Sequence, residues 1–155
     1  MGASLASLVA AAVLAAGPTS PAGESCNERG TRGLVNRFIT AFNRGDVKQL
    51  DRLFARGMWW RWYAVGTVPG KRIQKAAYNR TTLIKYFRAR HQKRERLQLV
   101  SFQYVGRWDG YGHFQYELLR SADDMRAPVP RTYVGKGAMS CWTGSLAVWG
   151  MGEES

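Results

Sequence analysis

Apolar residues recur at helical spacing between positions 31 and 57. The first group falls on one face of a helix and comprises Leu34, Val35, Phe38, Ile39, Ala41 and Phe42. Thr31 is the predicted N-cap, and Gly45 fits the left-handed residue that ends a helix. Asp46 is predicted to cap a second helix, with Gln49 completing the capping box. That helix has its own apolar stripe of Val47, Leu50, Leu53 and Phe54.

Beyond Gly57 the pattern changes to large aromatic and β-branched residues, which predicts a strand over 58–65. Residues 66–79, with a Pro69-Gly70 turn signal, are predicted to form a loop. Thr81 or Thr82 is the expected N-cap of a third helix that ends near Gln92. Its apolar stripe contains Leu83, Ile84, Phe87 and His91.

Alternating residues after the third helix predict four further strands, over 97–106, 112–121, 131–140 and 145–151. Asp109-Gly110 is a hairpin turn signal because both residues tolerate positive φ. In the second of these strands one alternating set is the more apolar and is assigned to the core. That set is Phe114, Tyr116, Leu118 and Arg120.

A motif in the first two helices resembles the opening of nuclear transport factor 2-like domains, most of all their polyketide-cyclase-like (SnoaL-like) branch. It reads Phe38-Ile39-x-Ala41-Phe42-Asn43-x-Gly45-Asp46, followed by Leu50 and Leu53-Phe54. The resemblance covers about residues 31–151. It implies an α+β fold in which three helices from the N-terminal half pack on the concave face of a cone-shaped, curved, mixed or antiparallel sheet. It also implies a pocket and a possible homodimer, in a family of isomerases, cyclases, dehydratases and non-catalytic binders.

The first 25 residues differ from the rest, with an apolar run over 5–16 and small residues around Pro21. This favours a secretory signal peptide, although the segment before the run has no Lys or Arg, so a disordered tail is the alternative. Residues 26–151 are then a single domain. If the signal peptide is real, we expect a secreted or cell-envelope protein with no membrane span in the mature chain. If it is not, we expect a cytoplasmic protein. Export favours a disulfide between Cys26 and Cys141, whereas a cytosolic chain would keep two free thiols.

The chain has 23 Lys and Arg against 11 Asp and Glu, a net charge of +12. Such a charge favours anionic partners, although the simpler interpretation is a basic surface without a specific partner. A binder of nucleic acid or another anionic surface would use Lys71, Arg72, Lys75, Arg88, Arg94 and Arg96. Export and the lack of a recognition motif make nucleic acid an unfavoured partner.

Several catalytic signatures are missing, including a Gly-x-Ser-x-Gly elbow, a phosphate-binding glycine loop and zinc-ligand spacing. We therefore expect no cofactor and no metal, and favour a binding function over an enzymatic one. The favoured hypothesis is an exported pocket protein for a small, partly apolar and possibly anionic ligand.

The predicted ligand-binding residues combine aromatic side chains with inward cations: Trp60, Trp62, His91, Tyr104, Tyr116, Arg120 and Lys136. Trp60 and Trp62 share a strand face that suits a small-molecule site, or simply packs in the core. Inward cations require an anionic ligand or an ion pair, with Glu117, Asp123 or Asp124 as the candidate partners of such a pair. The alternative is that these cations lie at a solvated edge of the sheet. The enzymatic alternative is an isomerase, cyclase or dehydratase. In it His91 is the acid or base and Tyr104 or Tyr116 the hydrogen-bond donor. His91 could equally be a structural residue at a helix end.

Overall fold

The described residues of the computed structural model form three helices and six strands. It describes residues 26–56, 61–64, 74–77, 79–127 and 129–153, with the backbone alone at 61–64, 74–76 and 153. In chain order the elements are α1 (Glu28–Arg44), α2 (Val47–Leu53), β1 (Arg61–Ala64), β2 (Gln74–Ala77), α3 (Arg80–Gln92), β3 (Arg96–Trp108), β4 (Tyr111–Ser121), β5 (Arg131–Ser140) and β6 (Leu146–Glu153).

The strands form one mixed sheet in the order β2-β1-β6-β5-β4-β3. All neighbouring pairs are antiparallel except β1 and β6, which run parallel. The three helices cover one side of this sheet, which we call the inner face, while the side that carries Gln115 and Lys136 is the outer face. The predicted α+β architecture, with a mixed sheet and three helices from the N-terminal half, is confirmed.

The helix ends show where local sequence signals were sufficient. Asp46 accepts a hydrogen bond from the Gln49 amide, and Gly45 has φ 68°, both as predicted. The N-caps predicted for the other two helices are wrong. Asn27 and Asn79 take these positions because their side-chain oxygens accept from the backbone amides of Gly30 and Thr82, so each helix begins earlier than expected.

Two strand assignments also need correction. β2 lies within the stretch predicted to be a loop, because it pairs with β1 in the folded sheet, a tertiary contact that local turn signals do not report. β3 extends beyond both predicted ends, to Arg96 and Trp108. The turn after it is as predicted, with φ 52° at Asp109 and 75° at Gly110.

Glycines on β5 make room for large rings from the neighbouring strand. A Cβ atom at Gly135 would lie 2.3 Å from the Tyr116 ring, and one at Gly137 would lie 2.4 Å from the Phe114 ring. Any larger residue would collide with these buried rings. The inner face of β5 is therefore covered by side chains of β4, and the core continues across it.

Side chains of α1 cover the exposed edge strand β3. The Asn43 side chain donates to the Leu97 carbonyl and accepts from the Leu97 amide, both at 2.8 Å, so it replaces a missing strand partner. The Tyr104 hydroxyl donates to the Cys26 carbonyl at 2.8 Å. Cys26 is joined to Cys141 by the expected disulfide, which fixes the start of α1 to the end of β5. No helix among the described residues is long and apolar enough to cross a membrane.

Candidate functional site: the ring wall and its buried donors

A wall of aromatic rings lies between the inner face and the helices. Trp149 of β6 is fully buried at its centre. Its ring stacks on Tyr116 with centroids 4.2 Å apart, and the Phe38 ring of α1 lies 4.5 Å away. Phe114 completes this group at 6.3 Å from Trp149. The sequence produces this wall because alternate residues of β4 and β6 point inward and the glycines of β5 leave space between them.

Two inner-face side chains of the strands have hydrogen-bond donors with no acceptor among the described residues. These donors are Nε1 of Trp149 and the hydroxyl of Tyr133, both on side chains with no exposed surface. The hydroxyl of Tyr116 differs, since it donates to the Gly150 carbonyl at 2.7 Å. Nearly all buried polar groups in proteins are paired, and leaving one unpaired costs about 1–3 kcal/mol. These two donors are therefore chemically incomplete points of the inner face, and the buried Thr31 hydroxyl of α1 is also without a partner among the described residues.

A cluster of charged side chains lies close to Tyr133. Arg120 donates to the buried carboxylate of Glu95 through Nε at 2.7 Å and Nη2 at 3.1 Å. Arg90 also donates to Glu95 through Nε, and its two terminal nitrogens bind Asp124 at 2.7 and 2.8 Å. The Arg120 guanidinium lies 5.0 Å from the centre of the Tyr133 ring. Two cations thus meet two anions, and the cluster carries no net charge.

Burial raises the pKa of two phenols of the interior, those of Tyr86 and Tyr116. Burial, and next the negative charge of Glu95, raises the pKa of Tyr86 above its usual value of 10.0. Burial alone raises the pKa of Tyr116. At neutral pH both groups are hydrogen-bond donors and not bases. At the edge of the charged cluster, hydrogen bonds from Arg90 lower the pKa of Asp124.

No protein-family model and no curated protein sequence matches the chain, but solved structures do. The epoxide hydrolase/cyclase-like enzyme SalBIII, of pyran ring formation in polyether salinomycin, is 14% identical over 83% of this chain and 94% of its own, with a TM-score of 0.61. A candidate dehydratase of the NTF2-like family from Streptomyces avermitilis is 12% identical over 81% of this chain and 94% of its own, with a TM-score of 0.59.

The chain has the nuclear transport factor 2-like fold. A third similar structure is the canthaxanthin-binding orange carotenoid protein of Anabaena (Nostoc) sp. PCC 7120, with 14% identity and a TM-score of 0.59. The match covers 76% of this chain but 34% of that protein, so the chain spans about a third of its length. At these identities the similarity concerns the fold alone, so the function has to be argued from the residues of this chain.

The predicted catalytic group is not assembled in this nuclear transport factor 2-like fold. His91 was expected on a buried stripe, but its side chain is exposed and its ring lies against the α1 end, where a Cβ on Gly45 would be 2.3 Å from it. This prediction is wrong because the apolar stripe of α3 ends before its last turn. Tyr104 and Tyr116 donate to backbone carbonyls, so neither pairs with His91.

Of the two cations predicted to point inward, one is buried and the other is exposed. Arg120 is buried as expected, but its partner is Glu95 and not Glu117, Asp123 or Asp124. Lys136 is exposed on the outer face, where it lines an open groove of about 370 Å³. The inward placement of Lys136 is wrong because Tyr133, on the alternate set of β5, is the fully buried side chain. Arg120 and Lys136 are therefore not a pair of free inward cations. The prediction of an anionic ligand, which depended on them, loses its support.

Neither of the two predicted tryptophans has a side chain within the described part of the protein. Trp60 is outside the described residues. Trp62 belongs to β1, and its backbone is in register with Trp149, but its side chain is outside the described part. Their role in the pocket stays a prediction.

The sequence interpretation missed Trp149, Tyr133 and Glu95. Strand alternation could have found the first two, since each lies on a predicted strand. Glu95 gave no such signal, because it lies between Arg94 and Arg96 in a run of charges that is typical of a solvated turn.

Proposed function

We propose that the protein binds an apolar small molecule that carries a hydrogen-bond acceptor, held between the inner face and the helices against Trp149. The observation that carries this proposal is the buried Nε1 donor of Trp149, which has no acceptor in the described part of the chain. A carbonyl, ether or hydroxyl oxygen of a ligand would complete it. The surrounding rings of Phe38, Phe114 and Tyr116 suit the apolar body of such a molecule.

The charge balance of the interior favours a neutral ligand. Arg90 and Arg120 are matched by Glu95 and Asp124, so neither of these two cations is left for a carboxylate. Burying an unpaired anion there would be costly. The hydroxyl of Tyr133 offers a second donor, and a ligand with two acceptors could use both.

The structural neighbours support a binding function at the level of the fold. They include a canthaxanthin-binding protein and a cyclase-like enzyme of pyran ring formation in salinomycin. The disulfide between Cys26 and Cys141 supports the further proposal that the protein works in an oxidising compartment outside the cytosol.

Binding of Nile red, an apolar dye with a ring carbonyl, tests the proposal by fluorescence titration. We expect Trp149→Phe to weaken dye binding about five- to tenfold, the effect of losing one hydrogen bond of about 1 kcal/mol. Trp142→Phe is the matched control, because the same exchange is made at a side chain that is 67% exposed. Equal affinity of wild type, Trp149→Phe and Trp142→Phe would place the dye elsewhere and remove the proposal.

A further inference from the structure

The charges of the protein are distributed unequally between its helices and its sheet. We call residues 26–56 and 79–95, which contain the three helices, the helix layer. This layer has thirteen Lys and Arg but four Asp and Glu, whereas residues 96–153 have six and five. The helix layer therefore has a net charge of +9, against +1 for residues 96–153 and +2 from Arg61 and Lys75 of the strands β1 and β2.

Most cations of the helix layer are exposed and have no ion pair in the described structure. Arg32, Arg56, Arg80, Arg90 and Arg94 are the ones that contact a carboxylate. The other eight are exposed and remain without one: Arg29, Arg37, Arg44, Lys48, Arg52, Lys85, Arg88 and Lys93. Their charge is available to an external partner.

These free cations extend across all three helices. On α1, Arg29 and Arg44 are fifteen residues apart, which is about 22 Å along a helix. Two cations and one acidic residue line a groove of about 390 Å³ next to α2, namely Arg37, Arg44 and Asp46. Lys85 and Arg88 line a groove of about 730 Å³ along α3. Cations spread in two dimensions suit a flat anionic surface better than a single linear chain.

The helix layer has no large exposed apolar side chain among its described residues. The large exposed apolar side chains of the described chain all lie after residue 95: Val100, Val105, Trp108, Val129, Val134 and Trp142. A helix that inserts into lipid presents an apolar face with Trp, Phe or Leu. The helix layer is therefore expected to bind the surface of a partner through charge, without inserting side chains into an apolar interior.

We infer that the helix layer adsorbs to an anionic phospholipid bilayer, with its arginines and lysines against the headgroup phosphates. Guanidinium groups match phosphate oxygens in a bidentate manner, and each Lys or Arg near such a surface contributes about 1 kcal/mol. The disulfide favours a lipid surface over nucleic acid, because it indicates an oxidising compartment. This binding face is separate from the ring wall and does not depend on the ligand proposed there.

Co-sedimentation with vesicles tests this inference. One set of vesicles is phosphatidylcholine, and the other mixes phosphatidylcholine with an equal amount of phosphatidylglycerol. We expect binding to the mixed vesicles alone, and weaker binding at high salt because exposed charges are screened. Binding to both sets, or to neither, would overturn the inference.

A matched pair of variants locates the binding face. The first variant reverses three charges of the helix layer and is Arg37→Glu/Lys85→Glu/Arg88→Glu. The second reverses three exposed charges within residues 96–153 and is Arg107→Glu/Arg126→Glu/Lys136→Glu. Both carry the same net charge. We expect the first to lose at least about tenfold in vesicle affinity and the second to lose much less. Should the first variant not fold, Lys85→Glu/Arg88→Glu replaces it.

Two outcomes of this comparison would contradict the inference. An equal loss in both variants would mean that binding follows net charge and has no preferred face. Tighter binding to duplex DNA than to the mixed vesicles, with the same loss in the helix-layer variant, would assign this face to nucleic acid instead.

Discussion

Two buried polar regions of the interior differ in how completely they are satisfied. Around Glu95, Arg90, Arg120 and Asp124 exchange hydrogen bonds and balance their charges. At Trp149 and Tyr133, fully buried side chains keep donors that have no acceptor among the described residues. Burial alone therefore does not tell whether a polar group is satisfied. The first region is complete without a ligand, and the second has the donors that the proposed ligand would bind.

The largest loss of stability is expected from a substitution that breaks the hydrogen bonds around Glu95. Glu95→Gln keeps the shape of the side chain but leaves the buried charge of Arg120 unmatched, and we expect a loss of about 3–5 kcal/mol in the free energy of unfolding. Urea unfolding measures it. A loss below about 1 kcal/mol, as is typical of an exposed pair, would mean that the Glu95 cluster is not a structural core.

Acid should weaken the same region through Asp124. Hydrogen bonds from Arg90 lower its pKa in the folded state, so its contribution is present above its unfolded pKa of about 4. That contribution is lost as the pH falls through the lower, folded pKa. We expect Asp124→Asn to reduce stability at neutral pH and to match wild type near pH 2. Urea unfolding at the two pH values checks this, and an equal difference at both would contradict it.

A smaller loss is expected from a tyrosine whose hydroxyl is satisfied. Tyr116→Phe removes the hydrogen bond to the Gly150 carbonyl, and we expect it to cost about 1 kcal/mol of unfolding free energy. Thermal and urea unfolding measure the change. If the variant were as stable as wild type, this bond would have no net value in the fold.

The smallest effect is expected at the unsatisfied tyrosine. Tyr133→Phe deletes a buried hydroxyl that has no partner in the described part of the chain, so we expect the ligand-free protein to lose no stability. The same variant should weaken binding of a ligand that accepts a hydrogen bond there. A loss equal to that of Tyr116→Phe would show that the hydroxyl is bonded in the free protein.

The sequence predicted most of the fold because helix periodicity, strand alternation and the Asp109-Gly110 turn are local signals. It predicted less of the interior. Glu95 was hidden among neighbouring arginines, and its burial results from the approach of α3 to β4. The inner face of β5 was misassigned because Gly135 and Gly137 carry no side chains there and the rings of β4 cover them. Val134 and Lys136 made the outer face resemble the core.

The central claim is that Trp149 donates to a ligand, and the indole N–H signals of the chain test it most directly. The protein has six tryptophans, so a nitrogen–proton correlation spectrum shows one indole signal for each, and Trp149→Phe identifies the one from Trp149. On titration with Nile red, the account predicts that the Trp149 signal shifts at the same dye concentrations that increase the fluorescence. A Trp149 signal that stays fixed while the dye saturates the protein would contradict it.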